Sequence, residues 1–276
     1  MPISHIKGYY DYKLKDGRGD KKAGGLSHAS LKNYSKVLKQ VLESALLEEL
    51  VDRNVAQHVP IPHTKDEGEE KQLVFLDAEQ ANTLLAAFQG HRIQPILFVT
   101  LYYGLRRSEV LGLKWDAIDF EKNTITVKHV IVKSASIEAK DRTKSKKSKR
   151  TFDLLPEVRK VLLDVKAEQD ANHDMMGNCY QDTGYVFTWD NGLPYRPDYL
   201  TRAFQAQLKK TSLPKMRFHD LRHSCASILY DKGWDLKDIQ EWLGHEDIET
   251  TGNIYTHITK SRQKMLAKGL ENTFSI

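Results

Sequence analysis

At Val59 the chain changes character: Pro60 and Pro62 are followed by Asp66, Glu67, Gly68, Glu69 and Glu70, an acidic stretch without an apolar residue. Proline removes backbone donors and neighbouring acids repel one another, so this segment resists burial and reads as an exposed connector. A hydrophobic core therefore has to form separately on either side of it. The expected organisation is a small domain over residues 1–65, a linker over 66–71 and a larger domain over 72–276. A chain of 276 residues has room for both.

Hydrophobic residues at 40% and charged residues at 29% fit a globular chain and exclude a fibrous or disordered one. The longest apolar run, Pro95 to Leu105, is interrupted by Thr100 and falls short of the roughly 18 residues a membrane span needs. Met1 to Tyr12 holds no apolar signal core. Cys179 and Cys225 are the only cysteines, which excludes a disulfide framework and a cysteine-rich zinc site. A cytoplasmic protein without membrane contact is expected.

The charge is unevenly spread. Lys140, Arg142, Lys144, Lys146, Lys147, Lys149 and Arg150 stand against Asp141 alone, a local balance of +6 within a net charge of +5, so the rest of the chain carries −1. A basic excess held in one segment points to a polyanion, although a solvated surface loop has the same composition.

In the small domain, residues 1–25 read as polar and turn-prone, with Asp16-Gly17-Arg18-Gly19-Asp20 and Gly24-Gly25. Leu31, Tyr34, Leu38, Val41, Leu42, Ala45 and Leu46 keep helical spacing and predict a helix to about Glu49, capped by Ser27 or Ser30. In the larger domain, Asp77 with Gln80 three residues on predicts a capping box and a helix through Phe88. A second helix is expected over Ile93 to Tyr103, stopped by Gly104. Alternation at Ile125, Val127 and Ile131 predicts a strand over Thr124 to Val132. A partner strand is expected over Arg150 to Leu155, with the basic segment as the turn between them. Pro156 and Glu157 open a helix through about Glu168, and a short strand is expected near Tyr185 to Thr188. Short helices follow, with stops at Gly233 and Gly244. The fold class is mainly α with a small antiparallel sheet (α+β).

Four groups of residues carry potential chemistry. They are Gly104-Leu105-Arg106-Arg107-Ser108-Glu109, Thr143-Lys144, His219-Asp220-Leu221-Arg222-His223, and Leu243-Gly244-His245 with Tyr255 ten residues on. His219 and Arg222 at i and i+3 share a helix face and can aim donors at one anion. Taken singly, each group also has a bland reading: a half-buried structural pair, solvent-exposed arginines, a turn histidine, a core tyrosine.

In order and spacing, however, these groups resemble the tyrosine recombinases, the phage-integrase family of site-specific DNA recombinases. The likeness spans Gln72 to Ser261 and is nearest to integrases of Gram-positive phages and conjugative transposons. Residues 26–60 resemble the latter part of the family's helical core-binding domain. The resemblance implies catalytic roles for Arg106, Lys144, His219, Arg222 and His245, with Tyr255 as nucleophile and Glu109 as a supporting acid. Arg107 falls where the family varies. Lys140, Arg142, Lys146, Lys147, Lys149 and Arg150 are then expected to bind DNA. The implied function is DNA cleavage and rejoining through a 3′-phosphotyrosyl intermediate, for integration or excision of a mobile element. The implied partners are double-stranded DNA attachment sites, further copies of the chain in a tetramer on synapsed DNA, and a directionality factor. No cofactor or metal is implied, and a nucleoid-associated bacterial protein is expected.

The residue chemistry agrees with the resemblance. Attack at phosphorus adds charge to the non-bridging oxygens, and guanidiniums offer paired donors in a fixed plane, as ammonium groups cannot. A tyrosine with a pKa of about 10 needs cationic surroundings or a base to become a nucleophile. The leaving 5′-oxygen needs a proton, which a hairpin lysine can deliver. Full-length integrases of this kind carry a small arm-binding domain ahead of the core-binding region; this sequence starts close to that region, whose first helix is expected to be short or missing. After Tyr255, Met265, Leu266 and Leu270 lie on a helical pattern between Thr259 and Leu270, which packs either on a neighbouring subunit or on its own domain. Rival readings are a type IB topoisomerase, a catalytically silent DNA-binding protein and, more distantly, a metal-dependent nuclease.

Overall fold

The computed structural model describes residues 2–19, 23–62, 74–133, 137–141 and 150–244. The expected linker, the basic residues 142–149 and everything from His245 onward lie outside the described residues. The chain divides into two compact units, Met1–Gln72 and Leu73–Ile276.

The first unit holds two helices, α1 (Ile3–Asp16) and α2 (His28–Leu47). Ser27 caps α2, its hydroxyl accepting the Ser30 N–H at 3.2 Å. Helix α1 corrects the expectation of a turn-prone start over residues 1–25. Ile6 and Tyr10, four residues apart, are enough to seat it against Leu31, Ala56 and Val59. The Tyr10 hydroxyl donates to Ser35 Oγ at 2.8 Å, so its polar tip is satisfied inside that core. Of the α2 stripe, Leu31 is buried, whereas Tyr34 and Val41 remain exposed.

The second unit is built around α4 (Gln94–Tyr103), whose residues Ile96, Leu97, Val99, Thr100, Leu101 and Tyr103 are all buried. A helix apolar on every side must be enclosed. It packs on α3 (Ala78–Ala87), α5 (Arg107–Leu111), α6 (Pro156–Met176) and α8 (Asp220–Asp231). The predicted capping box is present at α3: Asp77 accepts from Gln80 N–H, and the Gln80 side chain accepts from Asp77 N–H. Helices α7 (Pro197–Leu208) and α9 (Leu236–Leu243) complete the set, and α6 runs on past Glu168 through a largely polar stretch.

Strands β1 (Ile118–Asp119), β2 (Thr124–Val127) and β5 (Arg150–Asp153) form an antiparallel sheet in the order β1-β2-β5. Its register pairs Ile125 with Phe152 and Val127 with Arg150. Strands β3 (His129–Lys133) and β4 (Ile137–Asp141) form a separate antiparallel pair. The single strand expected over Thr124 to Val132 is thus two, because Lys128 belongs to neither and the pairing partner changes there. The basic segment is not simply the turn between β2 and β5: Lys140 sits in β4, opposite Val130. Near Tyr185 to Thr188 two isolated bridges, Lys114 to Tyr185 and Thr188 to Pro194, stand in place of a strand. No helix among the described residues is long and apolar enough to cross a membrane.

Candidate active site

The site starts from a helix stop. Gly104 takes the left-handed conformation (φ 59°), and its N–H closes α4 on Thr100 O at 2.8 Å. A Cβ there would meet the Leu243 side chain. The chain then reverses, and Arg106 becomes the N-cap of the five-residue α5, with Glu109 at its third position. One Glu109 oxygen accepts the Arg106 backbone N–H at 2.9 Å; the other accepts Arg106 Nη1 at 2.8 Å. The carboxylate thus fixes both the backbone and the guanidinium of the same arginine.

Arg222 comes from the first turn of α8, with a side chain only 1% exposed. Its Nη1 donates to Gly104 O at 2.7 Å and its Nη2 to Leu243 O at 2.6 Å. Arg150, from the start of β5, donates to Leu243 O as well and reaches Glu109 Oε2 at 3.0 Å. Arg106 Nη2 donates to Gly244 O at 3.2 Å. All these guanidiniums therefore converge on the carbonyl end of α9, where the helix dipole favours cations. Trp242 anchors that end, its ring centroid 4.7 Å from Phe152 and 5.9 Å from Tyr103.

His219 precedes α8 and shares a cleft of about 560 Å³ with Arg106, Arg107, Arg217 and Thr201. Arg106 is 29% exposed and faces this cleft, while Arg222 does not line it. Arg107 donates to Thr201 Oγ1 at 2.7 Å on the rim. Burial first, then the Arg222 charge, lower the His219 pKa below its ordinary 6.5, so the imidazole is neutral at pH 7 with one donor and one acceptor nitrogen. Burial and His219 likewise pull His223 down to about 4. The two rings meet edge to face at 5.2 Å, and His223 Nδ1 is buried with no hydrogen-bond partner among the described residues. Burial lowers Arg222 to about 9 with help from Arg106, against the pull of Glu109, so it stays charged at neutral pH.

Of the sequence-predicted residues, Arg106, Glu109, His219 and Arg222 are brought together here. Lys144, His245, Tyr255, Arg142, Lys146, Lys147 and Lys149 lie outside the described residues, and of Lys140 only the backbone is described. Arg150, expected to bind DNA, has a side chain 10% exposed and turned to Glu109 and Leu243 O, because β5 pairing at Val127 places it beside α5 and α9. Sequence reasoning gave no role to Arg217, which lines the cleft and pairs with Asp220 at 2.8 Å, nor to His223. The i, i+4 spacing of His219 and His223 was the available signal for the latter.

Two outcomes follow from this geometry. Burial pushes the Glu109 carboxyl up, but Arg150, Arg106 and the Arg106 N–H outweigh it and bring it from 4.5 to about 2. Between those values the unfolded chain takes up a proton that the folded chain refuses, so the stability Glu109 contributes is present above pH 4.5 and lost as pH falls toward 2. Thermal unfolding against pH should show that acid limb weakened in Glu109→Gln; an unchanged limb would place its origin elsewhere. Gly244 is left-handed (φ 64°), and a Cβ there would strike the Arg150 guanidinium. Gly244→Ala is expected to cost about 1–2 kcal/mol from the backbone alone, with more from displacing Arg150. A thermal melt matching the unmodified protein would contradict this.

Residues 74–262 match the phage integrase family, and the chain belongs to that family, the tyrosine recombinases. It is 28% identical to a tyrosine recombinase XerC-like protein of Caldanaerobacter subterraneus subsp. tengcongensis, over 99% of this chain and 73% of that protein. It is also 28% identical to the ICEBs1 integrase of Bacillus subtilis, over 90% of this chain and 67% of that protein. The integrase of transposon Tn1549, solved with transposon right end DNA, shares the fold. Its TM-score is 0.73 at 22% identity, covering 97% of this chain and 86% of that one.

Proposed function

We propose that this tyrosine recombinase cuts and rejoins double-stranded DNA at attachment sites of a mobile element, through a covalent 3′-phosphotyrosyl intermediate on Tyr255. The observation that carries the reading is the shared anchoring of Arg106 and Arg222 on the last carbonyls of α9, next to a cleft holding His219. His245 follows Gly244 directly in the chain.

The Tyr255 phenolic oxygen attacks phosphorus; a bond forms there as the bond to the 5′-oxygen breaks. Lys144 gives the departing 5′-oxygen its proton. Arg106 and Arg222 meet the charge growing on the non-bridging oxygens, and His245 adds a donor. His219, neutral at pH 7, can accept the phenolic proton as Tyr255 attacks, becoming a cation beside the reacting phosphate. The cations come from the chain's own side chains, so the proposed transfer uses no metal and no cofactor. The phosphotyrosyl bond retains the phosphodiester energy, and a 5′-hydroxyl from a second site reverses the step. That exchange requires two synapsed sites and a tetramer of this chain, with a directionality factor choosing between integration and excision. Lys140, Arg142, Lys146, Lys147 and Lys149 supply phosphate contacts that set affinity more than sequence.

A nicked suicide substrate carrying the element's own attachment site tests the reading. A protein–DNA adduct that survives denaturation, with a free 5′-hydroxyl, is expected. Retention of intact substrate by DNA-bound protein would overturn it. Strand exchange between two sites, rather than relaxation of one supercoiled circle, separates the reading from a topoisomerase.

A further inference from the structure

We propose that Arg150 is a positioning residue of the cleavage site, which locks the Glu109 carboxylate and the end of α9 in place rather than contacting DNA. The inference rests on the recombinase reading above.

By composition Arg150 is the last member of the basic segment, yet its surroundings are those of a buried strut. Its side chain is 10% exposed, against 72% for Arg217 on the same unit. The guanidinium lies 5.6 Å from the Phe152 ring centroid. One end of the fork holds Glu109 Oε2 at 3.0 Å, and the other holds Leu243 O. A planar guanidinium can hold a carboxylate and a carbonyl at once, which an ammonium group cannot do with the same fixed geometry.

Glu109 is the element through which Arg150 acts. Its carboxylate is 1% exposed; Oε1 accepts Arg106 Nη1, and Oε2 accepts both the Arg106 N–H and Arg150. The Arg150 and Arg106 guanidiniums therefore hold opposite oxygens of one carboxylate, and the aim of the Arg106 guanidinium depends on how that carboxylate sits. Leu243 O is held by Arg150 and by Arg222 together, two residues before His245. Gly244 carries no Cβ where one would occupy the space of the Arg150 guanidinium. Removing Arg150 loosens the support of Arg106 and the α9 end in one step, while no phosphate loses a partner. A displacement of about 1 Å in such support can cost on the order of 10²-fold in rate.

The test uses the full chain and the variants Arg150→Met and Arg150→Lys. DNA affinity is measured across a salt series, and single-turnover cleavage is measured on saturated nicked substrate. Expected for Arg150→Met is a cleavage rate lower by about 10–100-fold, with affinity and salt slope as in the unmodified protein. Adding Glu109→Gln should cost less than the product of the two single losses, since the two changes share the Glu109–Arg150 contact. If Arg150→Met does not fold, Arg150→Lys, which keeps a cation beside Glu109, should show the same split with a smaller loss. A salt slope reduced by about 0.9, the loss of one phosphate contact, with bound DNA cleaved at the normal rate, would overturn the proposal. So would losses at Arg150 and Glu109 that multiply. If the unmodified chain forms no adduct, the recombinase reading fails, while the salt slope still decides whether Arg150 meets DNA.

Discussion

Tyr255→Phe is expected to abolish the protein–DNA adduct and to leave DNA binding nearly intact, because the change removes the phenolic oxygen and keeps the ring. No other loss of a single atom should have so large an effect. A general acid or an oxyanion donor lowers a barrier that remains passable without it, whereas a missing nucleophile leaves no covalent path. The readout is denaturing electrophoresis of the suicide-substrate reaction, with a binding titration on the same preparation. An adduct formed by the Phe variant would move the nucleophile elsewhere, and Tyr230 or Tyr199 would be next to substitute. Loss of binding together with loss of the adduct would mean that the hydroxyl supports the fold, and the assignment would fail on that ground.

The parts of this protein that were legible in the sequence are those decided by neighbours in the chain. Asp77 and Gln80 are three residues apart, and their capping box needs nothing beyond that spacing. Gly104 and Gly244 end their helices in left-handed conformations that glycine adopts without a Cβ penalty. Helix α1 is not legible in the same way, because two buried residues, Ile6 and Tyr10, seat it among polar neighbours, and their partners Leu31, Ala56 and Val59 are distant in sequence. The split of one expected strand into β2 and β3 is decided by what each half pairs with: β5 for the first, β4 for the second. Alternation along one strand carries no record of its partner.

The site divides in the same way. Arg106, Glu109, His219 and Arg222 were found by motif and spacing, and the structure brings them into one cluster. Composition groups Arg150 with the lysines preceding it, because a run of cations reads as having one shared role. Burial separates them: the Val127 to Arg150 register turns this side chain to Glu109. The convergence on Leu243 O and Gly244 O was equally hidden, since backbone carbonyls have no letter in the sequence.

Arg222→Lys is expected to lower the cleavage rate on the order of 10²–10³-fold, the usual cost of removing one donor from a developing oxyanion. The charge is conserved in this change, so what is lost is geometry. Arg222 spans two carbonyls, Gly104 O at 2.7 Å and Leu243 O at 2.6 Å, with separate nitrogens of one rigid plane. A lysine placed there has a single nitrogen on a flexible stem, and Leu243 O already has a second donor in Arg150. Gly104 O is the group left without its guanidinium, and a buried carbonyl without a partner costs about 1–3 kcal/mol. Thermal unfolding should register that cost alongside the kinetic defect. Arg107→Lys is the matched control: Arg107 is exposed and makes one hydrogen bond, to Thr201 Oγ1. Its cleavage rate and melting temperature should stay close to those of the unmodified protein. Single-turnover cleavage on nicked substrate, measured at saturating protein, compares the two variants directly. Equal damage at Arg107 and Arg222 would show that the paired anchoring of Arg222 is not what the reaction depends on.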